Sequence, residues 1–291
     1  LLENTRFDVD WELKTVKWED QKKHPVTQLL AENADSFIND AYPSIHRGHT
    51  SLVGFYGLLP FYLGFYIQDE IVKTERLIKK MMDAERICFC IGGKKFKLEY
   101  HKSLMEIFPQ VLLLTAGIPG QAMVYAFGHR LNREGEEFIK REENVKNIKM
   151  AEKLVEKFGK ERIRHPVDFF LRKGDKVIYT TLEKLPRAEG EIVDIGPDTI
   201  QMYTREFNRS DVNILAGPPG MCDKGFGYGT KGLLYGTKNL NVFGGHGTAS
   251  LPVGLEWEEM SKVVDYSIAG GAKLAHITGQ DLPSFDILIK S

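Results

Sequence analysis

Short apolar runs that each stop at glycine constrain this chain more than any other feature. Ile87–Ile91 runs into Gly92–Gly93, Val111–Leu114 into Thr115–Ala116–Gly117, Val212–Leu215 into Ala216–Gly217–Pro218, and Leu240–Phe243 into Gly244–Gly245. A continuous apolar run of this length suits a strand buried on both faces, as in a parallel sheet; a half-exposed strand would alternate. Amphipathic stretches lie between the runs, and Ala151, Leu154, Val155 and Phe158 fall on one helical face. Strand and helix in alternation predict a doubly wound α/β chain. Residues after such strands sit at the carboxyl edge of the sheet, where these folds bind ligands. Glycine there lets the backbone approach a phosphate and present its N–H groups, so the repeated pattern points to a nucleotide or phosphate site. The competing reading is that the glycines only make tight strand-to-helix turns.

A long helix is expected from about Tyr62 to Met82. Its basic turn, Arg76 to Lys80, is favoured by the helix dipole near a C-terminus. This helix could connect two domains. Arg133 to Arg164 is densely charged with a sparse apolar stripe, and reads as one or two solvated surface helices. The longest apolar stretch, Leu52 to Ile67, is broken by Gly54, Gly57, Pro60 and Gly64, and is too short and interrupted to span a bilayer. Lys plus Arg is 39 against 40 Asp plus Glu, a net charge of -1 that argues against a dedicated nucleic-acid binder. Apolar residues at 42% and charged residues at 27% fit a soluble globular protein, and 291 residues admit one large domain or two smaller ones. Cys88, Cys90 and Cys222 are too few and too badly spaced for a disulfide framework, which implies a reducing, cytoplasmic compartment. Without a CxxC pair no zinc site is expected. The chain opens Leu1–Leu2–Glu3–Asn4 with neither initiator Met nor signal peptide, so a fragment or a processed or incomplete form is expected.

Gly227 to Gly232 matches GxGxxG, but Pro218, Pro219 and Gly220 separate it from the run that ends near Leu215, so glycines at a helix start are expected there. GxxxxGK[ST], GxSxG and HExxH do not occur. His46–Arg47–Gly48–His49 follows a strand expected to end at Phe37–Ile38. One arginine and two histidines on such a loop could hold an anionic substrate, or could simply be a solvated basic loop. Gly92–Gly93–Lys94–Lys95 sets lysines just past a strand end, within reach of a nucleotide phosphate; the alternative is a solvated lysine at a helix start.

Taken in order, these segments resemble the phosphoglycerate kinase family. Leu1 to Phe7 is similar to its LLEN-x-RF segment, and Phe37 to Gly54 to its strand-NDAF-HRAH-S-VG segment. Gly92 to Lys95 resembles GGAK, Pro166–Val167–Asp168 resembles PVD, and Asp194 to Thr199 resembles DIGPKT. Gly217–Pro218–Pro219–Gly220 with Asp223 resembles GPMG and a following acid. Gly244–Gly245–His246–Gly247–Thr248 resembles the GGG(D/H)S loop, with His246 as in archaeal members. Ser267 to Pro283 resembles the STGGGAS…LP ending.

The resemblance implies two Rossmann-like domains facing a cleft, which would close to exclude water from the transfer. One binds 3-phosphoglycerate and the other MgATP or MgADP. On this reading residues 1–75 are the remainder of the first domain, whose opening DFN and HxxRP segments have no counterpart here. Residues 76–275 form the nucleotide domain, and 276–291 return to the first. Lys95, Arg47, Gly245 and Gly271 would carry catalysis. Arg6, His46, Arg47 and His49 would hold the substrate. Gly92, Gly93, Lys95, Gly117, Gly217, Pro218, Gly220, Asp223, Gly244, Gly245, His246, Gly247 and Thr248 would hold the nucleotide. Backbone N–H groups at Gly244, Gly245 and Gly270–Gly271 would face phosphate oxygens, and no protein ligand set is expected for Mg²⁺. Neither nucleic acid nor membrane is expected as a partner, and the oligomeric state stays open between monomer and small homo-oligomer. The chain departs from the family's pattern at Lys94, Glu99, Ala216, Pro219, Ile268 and Ala269, and its glycine loop is one residue short at Gly244–Gly245. Two readings therefore stand: an active kinase in glycolysis or gluconeogenesis, or a catalytically impaired nucleotide-binding or interaction protein on the same fold.

Overall fold

The computed structural model describes residues 5–7, 11–12, 18–94, 97–245 and 263–289. The chain divides into two compact units, one of Leu1–Ile78 with Gly271–Ser291 and one of Lys79–Gly270.

In the first unit, strands β1 (Phe37–Asn39) and β2 (Phe61–Leu63) pair in parallel. Phe37 stacks on Phe55 with ring centroids 4.6 Å apart. The long helix runs Phe65–Asp83. It starts later than expected because Tyr62 belongs to β2, and Asp40 Oδ1 fixes the start by accepting from Ile67 N at 3.0 Å. Ile67, Glu70, Thr74, Leu77 and Met81 are buried along it, a spacing of three and four that defines one helical face. The last part of the chain folds here too. Ile287, in the helix Pro283–Ile289, packs with Leu52 and Val53. Tyr42 is fully buried, and its hydroxyl lies 3.1 Å from Thr74 Oγ1 and 3.3 Å from His276 Nδ1. Lys273, in the helix Gly270–Ile277, is also fully buried and faces Glu70 at 3.6 Å.

The second unit is built on a six-stranded sheet. In chain order its strands are β3 (Ile87–Ile91), β4 (Val111–Thr115), β5 (Ile163–Arg164), β9 (Val212–Ala216), β10 (Leu240–Phe243) and β11 (Val263–Ser267). Their spatial order is β11-β10-β9-β3-β4-β5, all parallel. Every residue of β3 and β4 is buried, as the unbroken apolar runs predict. Between β5 and β9 the chain forms an antiparallel sheet of β6 (Asp168–Lys173), β7 (Lys176–Thr181) and β8 (Glu191–Ile195), in the order β7-β6-β8.

The charged stretch from Arg133 forms the helices Arg133–Ile139 and Glu142–Phe158, but it does not stay on the surface. Asn144, Asn147, Ile148, Ala151 and Leu154 are buried, and Ile163–Arg164 leaves the helical pattern to pair with β4. The apolar stripe, although sparse, is enough to seat the helix Glu142–Phe158 against the helices Leu98–Ile107 and Gly117–Ala126. No helix among the described residues is long and apolar enough to cross a membrane.

Candidate functional site

From β3 the chain winds outward through β4 and β5, then returns to lay β9 on the other side of β3 and winds through β10 and β11. The strand order reverses between β3 and β9. Crevices at such a reversal, beyond the carboxyl ends of the strands, are where doubly wound sheets bind ligands. Gly92–Gly93 and Gly217–Pro218 leave the sheet at this point.

The glycine turns hold one another. Gly92 N donates to Ala216 O at 3.0 Å, and Gly93 N to Pro218 O at 2.8 Å. Ile118 N donates to Gly93 O at 3.0 Å, Gly217 N to Phe243 O at 2.8 Å, Gly244 N to Ser267 O at 3.1 Å, and Gly270 N to Gly244 O at 3.1 Å. The turns after β3, β4, β9, β10 and β11 thus form one continuous backbone network along the sheet edge. Gly117 shows why glycine is required: its φ is +58°, and a Cβ there would lie 2.7 Å from Gly93 O. Tight-turn geometry thus accounts for the glycine here, at the edge where doubly wound sheets bind ligands. The N–H groups of Gly244 and Gly270 do not face an open phosphate position, as the sequence reading expected, because each already donates to a carbonyl of the neighbouring turn.

The charged groups at this edge are partly described. Lys94 is exposed, and its Nζ lies 3.5 Å from Asp223 Oδ2. Lys94, which stands where the family's GGAK has alanine, thus pairs with Asp223, one of the residues expected to hold the nucleotide. Lys95, His246, Gly247 and Thr248 lie outside the described residues. Glu99 is exposed in the first turn of the helix Leu98–Ile107, where the helix dipole favours an acid. Gly227 stands just before the helix Tyr228–Gly236, so the GxGxxG match marks a helix start. Among the described residues no three His, Cys, Asp or Glu side chains converge on a possible metal position.

Two buried carboxylates were not singled out by sequence reasoning as working groups. Asp168, at the start of β6, accepts from Asp198 N and Thr199 N at 2.8 Å each, capping the helix Pro197–Phe207 from another strand. Asp194, on β8, accepts from Gly229 N at 2.9 Å and from Ile195 N at 2.8 Å. Burial pushes its pKa up to about 7, while hydrogen bonds from Gly229, Ile195 and Tyr228 pull it down. The available signal was the pair of motifs PVD and DIGPDT, each of which places Asp in or beside an apolar strand.

In the first unit, Thr5–Phe7 forms a 3-10 turn that contains Arg6. His46 and Arg47 lie, half-buried, on the loop between the 3-10 turn Tyr42–Ser44 and the helix Thr50–Val53. His49 is buried, and its Nδ1 faces the buried Glu12 Oε2 at 3.5 Å. Gln21 Nε2 donates to Gly48 O at 2.8 Å, and Asn39 Oδ1 accepts from Ala41 N at 3.0 Å. These amide contacts hold Gly48 within the loop and Ala41 just ahead of the 3-10 turn. Gly271 falls in this unit, one residue past the division of the chain.

The phosphoglycerate kinase family profile matches residues 1–280. The chain is 31% identical to the phosphoglycerate kinase of Methanothermus fervidus over 99% of its own length and 70% of that relative. It is 30% identical to that of Pyrococcus furiosus over 99% of its length and 71% of the relative. A crystal structure of phosphoglycerate kinase from Pyrococcus horikoshii OT3 matches with a TM-score of 0.84 at 27% identity, covering 99% of this chain and 72% of that one. Because the match runs through both units and not through a single nucleotide-binding half, the chain as a whole belongs to the phosphoglycerate kinase family.

Proposed function

We propose that this chain catalyses reversible phosphoryl transfer between ATP and the carboxylate of 3-phosphoglycerate, giving ADP and 1,3-bisphosphoglycerate, in the cytoplasm. The observation that carries this reading is the network of interlocked glycine turns at the strand-order reversal, with Lys94 and Asp223 beside it, in a chain of this family. The unit of 79–270 is read as the nucleotide side and the unit with Arg6, His46, Arg47 and His49 as the 3-phosphoglycerate side.

The acceptor needs no general base, since a carboxylate of pKa ~4 is already ionised at neutral pH. The protein's task is in-line positioning and neutralisation of charge. Lys95 contacts the nucleotide phosphates in this reading. Arg6 and Arg47 hold the 3-phosphoglycerate, and Arg47 also faces the transferring group. Asp223 accepts from the ribose hydroxyls, which requires Lys94 to release it or to share it. An exposed pair of this kind is worth at most about 1 kcal/mol, so releasing it costs little. The backbone of Gly245 and Gly271 faces the phosphoryl group. The charge neutralisation that Mg²⁺ supplies would come with the bound nucleotide, since no protein side chain is assigned to hold the ion.

The test is ATP-dependent formation of acyl phosphate from 3-phosphoglycerate, trapped with hydroxylamine. Turnover should require both Mg²⁺ and 3-phosphoglycerate, and Lys95→Ala should abolish it. Measurable ADP binding without turnover would overturn the kinase reading in favour of a nucleotide-binding protein on this fold. Equal turnover in Lys95→Ala would remove that lysine from the mechanism.

A further inference from the structure

We infer that Asp194 is a positioning residue for the nucleotide loop: its buried carboxylate ties the start of the helix Tyr228–Gly236 to the end of β8 and packs directly against Gly220 of the Gly217–Asp223 turn. This rests on the nucleotide reading of the glycine turns.

Two sets of contacts converge on this side chain, and a third lies beside it. Asp194 is 3% exposed, and it accepts from Gly229 N and Ile195 N. The Gly229 N–H belongs to the first turn of its helix, where N–H groups have no partner within the helix. A carboxylate supplied from β8 satisfies that group and complements the positive end of the dipole. Packing converges on the same atoms. A Cβ on Gly220 would lie 2.3 Å from Asp194 Cγ, and a Cβ on Gly229 would lie 2.4 Å from Asp194 Oδ1. Two separate stretches of backbone therefore close directly on one carboxylate. The residue before it adds a further tie, because Met221 N donates to Val193 O at 3.0 Å.

The loop held this way carries the groups the nucleotide would meet. Pro218 O accepts from Gly93 N at 2.8 Å, which links the loop to the turn after β3. Asp223 lies three residues past Gly220 and faces Lys94. Shape alone does not account for an acid here. A buried carboxyl costs free energy that an apolar side chain of similar size would not, so its contribution is the N–H groups it fixes. Asp194 acts through the loop and not on the nucleotide itself.

The test compares wild type, Asp194→Ala, Asp194→Asn and Gly220→Ala. The Kd for ADP with Mg²⁺ is measured by titration calorimetry, and backbone hydrogen exchange is followed peptide by peptide. Asp194→Ala and Gly220→Ala should each raise the Kd at least tenfold. They should speed exchange in residues 217–229 while leaving β3 and β4 unchanged. Asp194→Asn keeps one acceptor oxygen and should fall between wild type and Asp194→Ala. Gly220→Ala retains the carboxylate but crowds it, and the added Cβ would also lie 2.4 Å from Phe226 O in the same loop; it supplies the test if Asp194→Ala does not fold. Unchanged ADP affinity in either folded variant overturns the proposal and leaves the nucleotide reading standing. Faster exchange spread evenly over β3, β4 and the loop also overturns it, since Asp194 would then be a general stabiliser. Absence of ADP binding by the wild type overturns both.

Discussion

At the scale of single residues, two buried titratable groups in the second unit pull stability in opposite directions with pH. Burial raises the Asp194 carboxyl from an ordinary value near 4 to about 7. Between those values the folded state holds a proton that the unfolded state has lost, so stability falls as pH rises through this window. His101 is buried in the helix Leu98–Ile107, and desolvation lowers its pKa to about 4. There the unfolded state binds the extra proton, so stability present above pH ~6.5 is lost as pH falls toward 4. The Asp194→Asn variant should therefore gain on wild type between pH 5 and pH 8, by roughly 2–3 kcal/mol at 1.36 kcal/mol per pKa unit. Denaturant unfolding at both pH values measures this. A difference independent of pH would show that the Asp194 carboxyl titrates like an ordinary one.

At the scale of elements, the glycine turns separate two costs that are usually mixed. Gly117 has φ +58° and Gly93 O within 2.7 Å of any Cβ, whereas Gly128 has φ +90° and nothing within 4 Å. Gly128→Ala should lose only the strain of a left-handed residue, about 1–2 kcal/mol. Gly117→Ala should lose that and also push apart the turns after β3 and β4, for a total of about 3 kcal/mol or more and a weaker ADP site. Thermal unfolding of the two variants side by side gives the comparison; equal losses would mean that the turns can spread without cost. The elements themselves were unevenly legible. β3, β4, β9 and β10 stood out because a strand buried on both faces writes an unbroken apolar run. The hairpin of β6 and β7 writes no such run, although Lys173–Gly174–Asp175–Lys176 is a turn signal between β-rich segments. Its strands carry Lys, Arg and Tyr, and β7 is largely exposed, so no continuous run announced it. β5 was hidden in a charged stretch because an edge strand of two residues has no period to detect.

At the scale of the whole molecule, the two units should respond to different ligands. MgADP is expected to slow hydrogen exchange around Gly92–Lys94 and Gly217–Asp223, with β1 and β2 unchanged. 3-Phosphoglycerate is expected to slow the stretch from Tyr42 to Gly54 instead. Protection of the same peptides by both ligands would contradict this assignment of the units. The sequence by itself determined the local facts: which segments are buried on both faces, where they stop, and where one long helix runs. Each follows from a pattern of neighbouring residues. Only the tertiary structure decided that β9 returns to lie beside β3 and so creates the reversal of strand order. It alone decided that Asp194 meets Gly220 and Gly229, that Lys94 faces Asp223, and that His49 faces Glu12. These contacts join residues far apart along the chain or in separate elements. Hydrophobic periodicity records which face of an element is covered but not which element covers it.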